Sequence, residues 1–297
     1  MTRMWLPVVC VLALGCTKDD VEDTGDSGEV ISDFERFIDV EVEATGDLAC
    51  YTAGDAWVTQ SVDAAKQVDA AVSGKVIDFE EEVAVDEATV ELWFADVVSG
   101  AADATATSTA DGSVAFAAAP VCEPLTYRVT TDPLLGETKD TYEAHQIFPD
   151  GGTTTTEFNS VSSVTYTLIP SILGISVDTD KSIIAGTAYD CGEGPIEGAQ
   201  VVVRDAAGDI PDSLVVKYFV ENFPNYDQPH TSADGLWVAV NVPVGTWTVE
   251  MWAVVGGELA LRGSTVVQSQ ADSINISNVY VGYGDGVKYP DGCLVDE

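Results

Sequence analysis

The chain has 297 residues, and its 50 acidic and 12 basic residues give a formal net charge of -38 at neutral pH. Such a chain repels nucleic acid and anionic lipid head groups, so we expect no nucleic-acid partner. Apolar residues make up 46% of the sequence, which excludes wholesale disorder, and the length is sufficient for two domains with separate cores.

The first 15 residues predict an export signal. One basic residue, Arg3, precedes an apolar stretch from Met4 to Leu14 that is too short to cross a bilayer. The small residues before Cys16 make this segment resemble a bacterial lipoprotein signal. The resemblance implies cleavage before Cys16, a lipid on Cys16 and a cell-envelope location, by default in the outer membrane. The alternative is an ordinary secretory signal beside a chance cysteine.

Residues 16–30 predict an acidic, disordered tether between the membrane and the folded part. The segment is rich in Asp, Glu, Gly and Ser and has almost no apolar residues to bury. Its spaced aspartates do not follow the calcium-loop pattern, which ends in a glutamate at the twelfth position, so no metal site is predicted there.

From residue 31 onward the pattern predicts an all-β protein. Short runs of Val, Thr, Trp and Tyr are separated by glycine-containing turns, with little helical periodicity. Ile38, Val40 and Val42 alternate with acidic residues and predict a strand at the start of a first domain, residues 31–160. The Gly- and Thr-rich segment 151–156 predicts a crossing to a second domain, residues 161–297.

An internal repeat divides this region. Residues 108–112 read STADG and residues 231–235 read TSADG, and each is followed by a proline at the same distance. Upstream, residues 74–78 match 186–190, and residues 88–92 match 199–203. The repeat predicts two copies of one module, and the Asp-Gly pairs predict tight hairpin turns rather than binding residues.

The second copy resembles a known family, the carboxypeptidase regulatory-like domain. The matching residues are Gly186, Asp190, Pro195-Ile196, Gly198-Ala199, Val201, Val203, the TSADG turn, Trp237, and the segment from Pro243 through Gly245 and Trp247 to Val249. The resemblance implies two tandem transthyretin-like or immunoglobulin-like β-sandwiches. It also implies a noncatalytic accessory or binding module of a surface protein.

The cysteines predict disulfide bonds. With Cys10 in the signal and Cys16 lipidated, an even number remains for an oxidising compartment: Cys50, Cys122, Cys191 and Cys293. Three pairings are possible. Bonds from Cys50 to Cys122 and from Cys191 to Cys293 keep each bridge within one proposed domain, so we predict that pairing. No two cysteines or histidines have the close spacing of a zinc site.

The sequence favours a membrane-anchored envelope lipoprotein that acts as a structural or ligand-binding module, and not an enzyme, with no cofactor. His145 and His230 belong to no metallopeptidase motif, and neither a Gly-x-Ser-x-Gly elbow nor a phosphate-binding glycine loop is present. A cryptic hydrolase is kept as a second alternative. The first alternative is an adhesin subunit that binds carbohydrate or protein.

Aromatic residues supply the candidate binding positions. Strand alternation places Trp247 in the core and Trp252 on the outer face, which leaves Trp252 and Trp57 as candidate stacking platforms. The second copy contains an inserted aromatic segment whose residues are candidates for a recognition surface or for a lid over the sandwich. They are Tyr218, Phe219, Phe223 and Tyr226.

The strand Leu236 to Val240 predicts a covered outer face. The family pattern points Trp237 inward, so Leu236, Val238 and Val240 face outward, where water would favour polar residues. We expect a cover formed by residues 165–174 or by the aromatic insertion around Phe219 and Phe223. Pro170 predicts that any helix in residues 165–174 is limited to a turn or two.

Overall fold

The computed structural model describes residues 34–51, 57–132, 138–149, 155–284 and 287–296. These residues belong to one compact unit that begins at Ser32. The signal peptide, Cys16 and the tether lie outside the described residues, so the expectations for them stay predictions. The proposed domain boundary at residue 160 also stays a prediction.

The described residues form an all-β fold with one α-helix, which confirms the predicted fold class. The helix α1 spans Ser163–Ile172, and a short 3-10 turn spans Asp291–Cys293. The strands are β1 (Val68–Asp78), β2 (Thr89–Trp93), β3 (Ala104–Thr107), β4 (Ser113–Val121), β5 (Pro124–Thr130), β6 (Thr138–Lys139), β7 (Thr141–Ile147), β8 (Thr155–Ser162), β9 (Lys181–Tyr189), β10 (Ala199–Arg204), β11 (Val215–Val220), β12 (Phe223–Asn225), β13 (Leu236–Pro243), β14 (Gly245–Val255), β15 (Glu258–Ser269), β16 (Ile274–Ile276) and β17 (Val279–Tyr280).

Two sandwiches share one long sheet. That sheet runs in the order β12-β11-β13-β9-β16-β7-β5-β2-β3, and β17 pairs with β9 beside it. The sheet β4-β1-β8-β6 packs on the end of the long sheet that contains β5, β2 and β3. The two sheets enclose a core that includes Val76, Leu92 and Phe158. The sheet β10-β14-β15 packs on the other end of the long sheet, which contains β11, β13 and β9. These two sheets enclose a core that includes Trp237 and Met251. We call these the first and second sandwiches, and parallel pairing of β7 with β16 joins them.

The Asp-Gly turns confirm the repeat at the level of single atoms. Gly112 and Gly235 both have positive φ, and their carbonyl oxygens accept hydrogen bonds from Val76 N at 2.8 Å and Ala188 N at 2.9 Å. A Cβ at Gly112 would lie 2.6 Å from Val76 O, and one at Gly235 would lie 2.8 Å from Ala188 O. Glycine is therefore needed at both turns. The hairpin prediction was wrong, because neither turn joins two strands that pair with each other.

A second pair of contacts repeats in the same way. The amide of Ala88 donates to Ser108 Oγ at 2.9 Å, and the amide of Ala199 donates to Thr231 Oγ1 at 2.9 Å. Both hydroxyl residues precede their Asp-Gly turn by three positions. Each turn is thus fastened to the start of a core strand by one buried hydroxyl group.

The segment 34–51 packs against the second sandwich, although the sequence reading assigned it to the first domain. Gln200 on β10 accepts hydrogen bonds from Asp39 N at 2.7 Å and Val40 N at 2.8 Å. Ile38 and Val40 are buried, as their alternation predicted. The predicted strand is present as an extended segment that makes isolated bridges from Glu43 to Val254 and from Thr45 to Glu197.

The predicted disulfide pairing was wrong. The bonds join Cys50 to Cys191 and Cys122 to Cys293. Each bridge joins one half of the sequence to the other, because each terminal segment packs on the sandwich that the other half of the chain forms. The N-terminal segment that carries Cys50 belongs to the second sandwich in space.

The C-terminal segment returns in the opposite direction, toward residues 61–63, which precede β1 of the first sandwich. Residues 293–295 pair with residues 61–63, through Asp63 N to Cys293 O at 2.9 Å and Val295 N to Ser61 O at 3.0 Å. This return brings Cys293 to Cys122 at the end of β4. Each chain end is therefore covalently bonded to the sandwich that is remote in sequence.

The predicted cover over β13 is confirmed. Val238 is 2% exposed and Val240 is fully buried, and both pack in one cluster with Tyr166 and Leu173 from the α1 region and with Phe219 from β11. The aliphatic outer face of β13 is therefore dry because α1 lies over it. Phe223, which was expected to share in this cover, is 70% exposed.

The helix is longer than predicted. Ser162 caps its start by accepting a hydrogen bond from Thr165 N at 3.0 Å, and Gly174 with φ 68° follows its last turn. Pro170 lies inside the helix and did not stop it. Pro170 is buried, as is Tyr166 four residues before it, so we infer that packing offsets the backbone hydrogen bond that proline cannot donate.

Candidate binding surface

Two of the predicted aromatic candidates are core residues. Tyr218 is 5% exposed and Phe219 is 7% exposed. The hydroxyl of Tyr218 accepts a hydrogen bond from Val201 N at 2.8 Å inside the second core, and burial raises the pKa of this phenol well above its ordinary value. Neither ring is available to a ligand, because β11 alternates between two buried faces of the long sheet.

Trp252 is half-buried beneath the N-terminal segment. Its ring meets Phe34 edge-on with centroids 5.0 Å apart, and its indole nitrogen donates to Glu250 at 2.9 Å. Arg204 lies over the Phe34 ring at 4.7 Å and forms an ion pair with Glu250 at 3.0 Å. Strand alternation placed Trp252 on the outer face correctly, but the remote Phe34 covers the platform.

Trp57 is 39% exposed and lies against the backbone at Gly284. A Cβ at Gly284 would lie 2.8 Å from the Trp57 indole nitrogen, so the ring packs closely on this glycine. Among the described residues, the Trp57 ring makes no contact with the Trp252 ring or with the aromatic insertion. These rings therefore do not form one row on the surface. Its partial exposure is that of a packed edge.

Phe223 and Tyr226 are the candidates that the structure leaves open, at 70% and 63% exposed. They lie at the hairpin of β11 and β12, where β12 is an edge strand of the long sheet. Lys217 Nζ lies 3.8 Å from the centre of the Tyr226 ring and donates to the Tyr226 carbonyl at 3.0 Å. This cation-π contact holds the Tyr226 ring at the surface.

Beside the hairpin, α1 presents an apolar stripe to solvent. Val164, Leu168 and Ile172 are 70%, 45% and 51% exposed, and their spacing of four residues places them on one face. The helix contains no charged residue, and it lies next to β12. We call the five residues Val164, Leu168, Ile172, Phe223 and Tyr226 the helix–hairpin surface.

Sequence reasoning identified the aromatic half of this surface and missed the helical half. The spacing of Val164, Leu168 and Ile172 was visible in the sequence, yet Pro170 led to the expectation of a shorter helix with one buried face. The other face of α1 covers β13, so the helix is apolar on both sides. A helix with apolar residues on two faces is normally buried on both of them, and this one is buried on one.

Carboxylates border the helix–hairpin surface. Glu80 accepts a hydrogen bond from the Thr165 hydroxyl in the first turn of α1. Glu221 and Asp227 flank β12 and are exposed, and Asp234 accepts from the backbone amide of Asn222 at 3.1 Å. Lys217, held on Tyr226, is the one Lys or Arg in the sequence between residues 215 and 235.

A buried carboxylic acid lies elsewhere, in the first sandwich. Glu143 on β7 is 5% exposed and accepts hydrogen bonds from the Tyr127 hydroxyl, from Asn159 Nδ2 at 3.1 Å and from Gln146 Nε2 at 3.0 Å. Burial raises the pKa of Glu143, and the hydrogen bonds from Tyr127 and Asn159 oppose that rise. These neighbours fill the space around the carboxyl, so this cluster acts as an internal polar link rather than a cleft.

The cavities of the described residues are poor substrate sites. An enclosed one of about 10 Å³ lies between the sandwiches beside Asp96, Tyr142 and Asn275, and it holds at most one water-sized molecule. An open depression of about 470 Å³ is lined mainly by Ser, Thr, Gly, Ala and Val, with Lys75 as its charged residue.

The two histidines have different surroundings, and His145 contacts a residue that lines the small cavity. His145 contacts Asp96 at 3.1 Å, whereas His230 Nδ1 contacts the Thr231 carbonyl at 3.0 Å. Among the described residues, no group of three Cys, His, Asp or Glu side chains has the arrangement of a metal site. Within the same residues, no helix combines the length and apolar character that crossing a bilayer requires.

No family model matches the chain, and no curated protein matches it by sequence. Among solved structures, the Bacillus anthracis TIE protein is similar over 72% of this chain and 34% of its own, at 14% identity and a TM-score of 0.25. The shaft pilin SpaA from Lactobacillus rhamnosus GG is similar over 75% of this chain and 100% of its own, at 11% identity and a TM-score of 0.23. BcpA, the major pilin subunit of Bacillus cereus, is similar over 72% and 99%, at 9% identity and a TM-score of 0.23.

The chain spans about a third of the Bacillus anthracis protein. At TM-scores this low, the likenesses carry no weight for fold, ligand or assembly. The fold is established by the strands, sheets and cores of the chain itself, and the functional argument rests on its exposed residues.

Proposed function

We propose that this protein is a noncatalytic binding module of the cell envelope, anchored by lipid on Cys16. The observation that carries the binding role is the helix–hairpin surface. A charge-free helix in a chain of net charge -38 exposes three aliphatic side chains in a row beside two exposed aromatic rings. Apolar patches of this kind on a soluble domain mark contact sites for other molecules.

The composition of the surface favours a protein ligand over a polysaccharide. Sugar-binding faces use rows of flat aromatic rings, and the two tryptophans expected to serve as platforms do not form one: Trp252 contacts Phe34 and Trp57 packs on Gly284. Val164, Leu168 and Ile172 are aliphatic and offer no stacking face. Aliphatic and aromatic side chains together are the usual centre of a protein contact, with polar residues around it.

The anchor is supported by the short apolar stretch and the small residues before Cys16. Replacing Cys16 with Ser should leave the protein unprocessed or release it from the membrane fraction. Cys10→Ser, within the same signal, is the matched control and should behave like wild type. If Cys16→Ser is processed and partitions into detergent like wild type, the lipid anchor does not exist.

The binding role is tested by adding the purified mature chain to isolated envelopes of the producing cell. Leu168→Ser combined with Tyr226→Ser should reduce saturable binding by about tenfold, because central apolar contacts carry most of an interface's energy. Val244→Ser is the control, since Val244 is 53% exposed in the β13–β14 turn and is not one of the five residues of the helix–hairpin surface. Protease treatment of the envelopes should abolish binding, whereas periodate oxidation of glycans should not. Equal binding by all variants would refute the proposed site.

A further inference from the structure

We propose that the partner presents an apolar segment flanked by lysine or arginine residues. This inference rests on the proposed function and adds the chemistry of the ligand. The centre of the helix–hairpin surface is uncharged, so it excludes no apolar partner by charge. Its borders carry Glu80, Glu221, Asp227 and Asp234, and selectivity comes from these borders.

The cations near the surface are already engaged: Lys139, which lies over the Tyr166 ring of α1, forms an ion pair with Asp272 at 2.6 Å. Lys217 lies on the Tyr226 ring and bonds the Tyr226 carbonyl, and its position on the α1 side of the sheet follows from its pairing with Val238. It supports the aromatic ring instead of neutralising the acidic border. The local field is therefore negative, and it adds to the negative field of the whole chain.

Charge selects among the possible occupants. A second copy would bring two acidic borders together, and like charges across an interface oppose association. A bilayer with anionic head groups would be repelled for the same reason. A partner with an apolar ridge between basic residues would bury the helix–hairpin surface beneath the ridge. Its basic residues would pair with the carboxylates at the border, so such a partner complements the surface in both respects.

The experiment uses a fluorescent 14-residue amphipathic peptide of Leu and Lys and a matched peptide of Leu and Glu as probes. The mature chain is held in phosphatidylcholine nanodiscs, with empty discs as the blank, and binding is read by anisotropy. If the anchor proves absent, the mature chain is used free in solution. We expect the Leu/Lys peptide to bind at least about tenfold more tightly than the Leu/Glu peptide at low salt.

Two variant pairs separate the apolar centre from the acidic border. Leu168→Ser with Ile172→Ser should weaken the Leu/Lys peptide by about tenfold at both low and high salt. Glu221→Gln with Asp227→Asn should weaken it by about threefold or more at low salt and flatten its salt dependence. Glu41→Gln with Glu258→Gln removes two exposed carboxylates of the second sandwich and should change affinity less than about twofold.

The opposing outcomes are distinct. Equal loss in the control pair and the border pair would mean diffuse attraction by net charge, and would overturn the proposal. A mature chain that sediments as a dimer, and as a monomer after Leu168→Ser with Ile172→Ser, would assign the surface to a second copy. A blue shift of a polarity-sensitive dye at Leu168→Cys in discs without peptide would assign it to the bilayer. Loss of envelope binding together with unchanged peptide binding would keep the proposed function and refute the basic partner.

Discussion

The imidazole of His145 on β7 contacts the carbonyl oxygen of Val266 on β15, which links the first sandwich to the second. The other ring nitrogen lies 3.1 Å from the Asp96 carboxylate. The ring therefore lies between a backbone carbonyl of the second sandwich and the carboxylate of Asp96, which follows β2. His145 has a φ of 59°, and the register between β5 and β7 shifts at this point. The bulge aims the ring across the junction.

Replacing His145 should therefore loosen the junction. His145→Ala removes both contacts and keeps an unfavourable φ, so we expect the free energy of unfolding to fall by about 2–3 kcal/mol. His145→Asn should cost less, because asparagine tolerates positive φ and retains one donor. Urea unfolding of the mature chain measures both. Equal stability of the alanine variant and wild type would mean that the contact contributes nothing.

Glu143 predicts a pH dependence of stability. Burial raises its folded-state pKa above the unfolded value, so its favourable contribution is present at acid pH and is lost as the pH rises through the folded-state pKa. Glu143→Gln should gain stability relative to wild type as the pH rises from about 4 to 8. Gln146 can turn its amide to accept from the new side chain.

The control for this prediction is Glu157→Gln, because Glu157 is exposed on β8. Its difference from wild type should vary little with pH. A Glu143→Gln variant whose difference from wild type is constant across that range would show that burial does not perturb this carboxyl as argued.

Val238 tests the cover over β13. Aspartate at this position would bury a charge beneath α1, so Tm should fall by at least about 5 °C. Val244→Asp introduces the same charge at an exposed site and should change Tm by less than about 2 °C. Calorimetry compares the two variants. Similar small shifts would mean that α1 separates from the sheet without cost.

Peptide mapping without reduction tests the crossed chain ends. We expect bonded peptides that join Cys50 to Cys191 and Cys122 to Cys293, at sequence separations of 141 and 171 residues. Loops of this length predict a stabilisation of about 5 kcal/mol for each bond in the chain-entropy model. Recovery of a Cys50 to Cys122 peptide would restore the pairing within sequence halves and refute this topology.

Local signals predicted the local structure of this chain. The Asp-Gly turns at Gly112 and Gly235 were predicted from sequence, and so was the core position of Trp247, which is 9% exposed and donates to the Pro243 carbonyl at 2.8 Å. These features depend on backbone geometry and alternation within a few residues. The cover over Val238 was also predicted, because an unbroken aliphatic strand requires burial on both faces.

Long-range contacts were not predictable in the same way. Phe34 covers Trp252, and Cys50 bonds Cys191, because the N-terminal segment crosses to the second sandwich. No periodicity within either segment encodes that crossing. The spacing of four residues between the exposed apolar residues of α1 is visible in the sequence. The helix-breaking tendency of Pro170, however, predicted a helix shorter than the one observed.

The most direct test of the proposed binding surface is site-specific photocrosslinking in living cells. A photoreactive phenylalanine analogue is placed at Leu168, on the outer face of α1, and at Val244 as the exposed control. We predict a discrete protein adduct at position 168 that is absent at position 244. No adduct at position 168, or the same adducts at both positions, would contradict the claim that the helix–hairpin surface binds a protein partner.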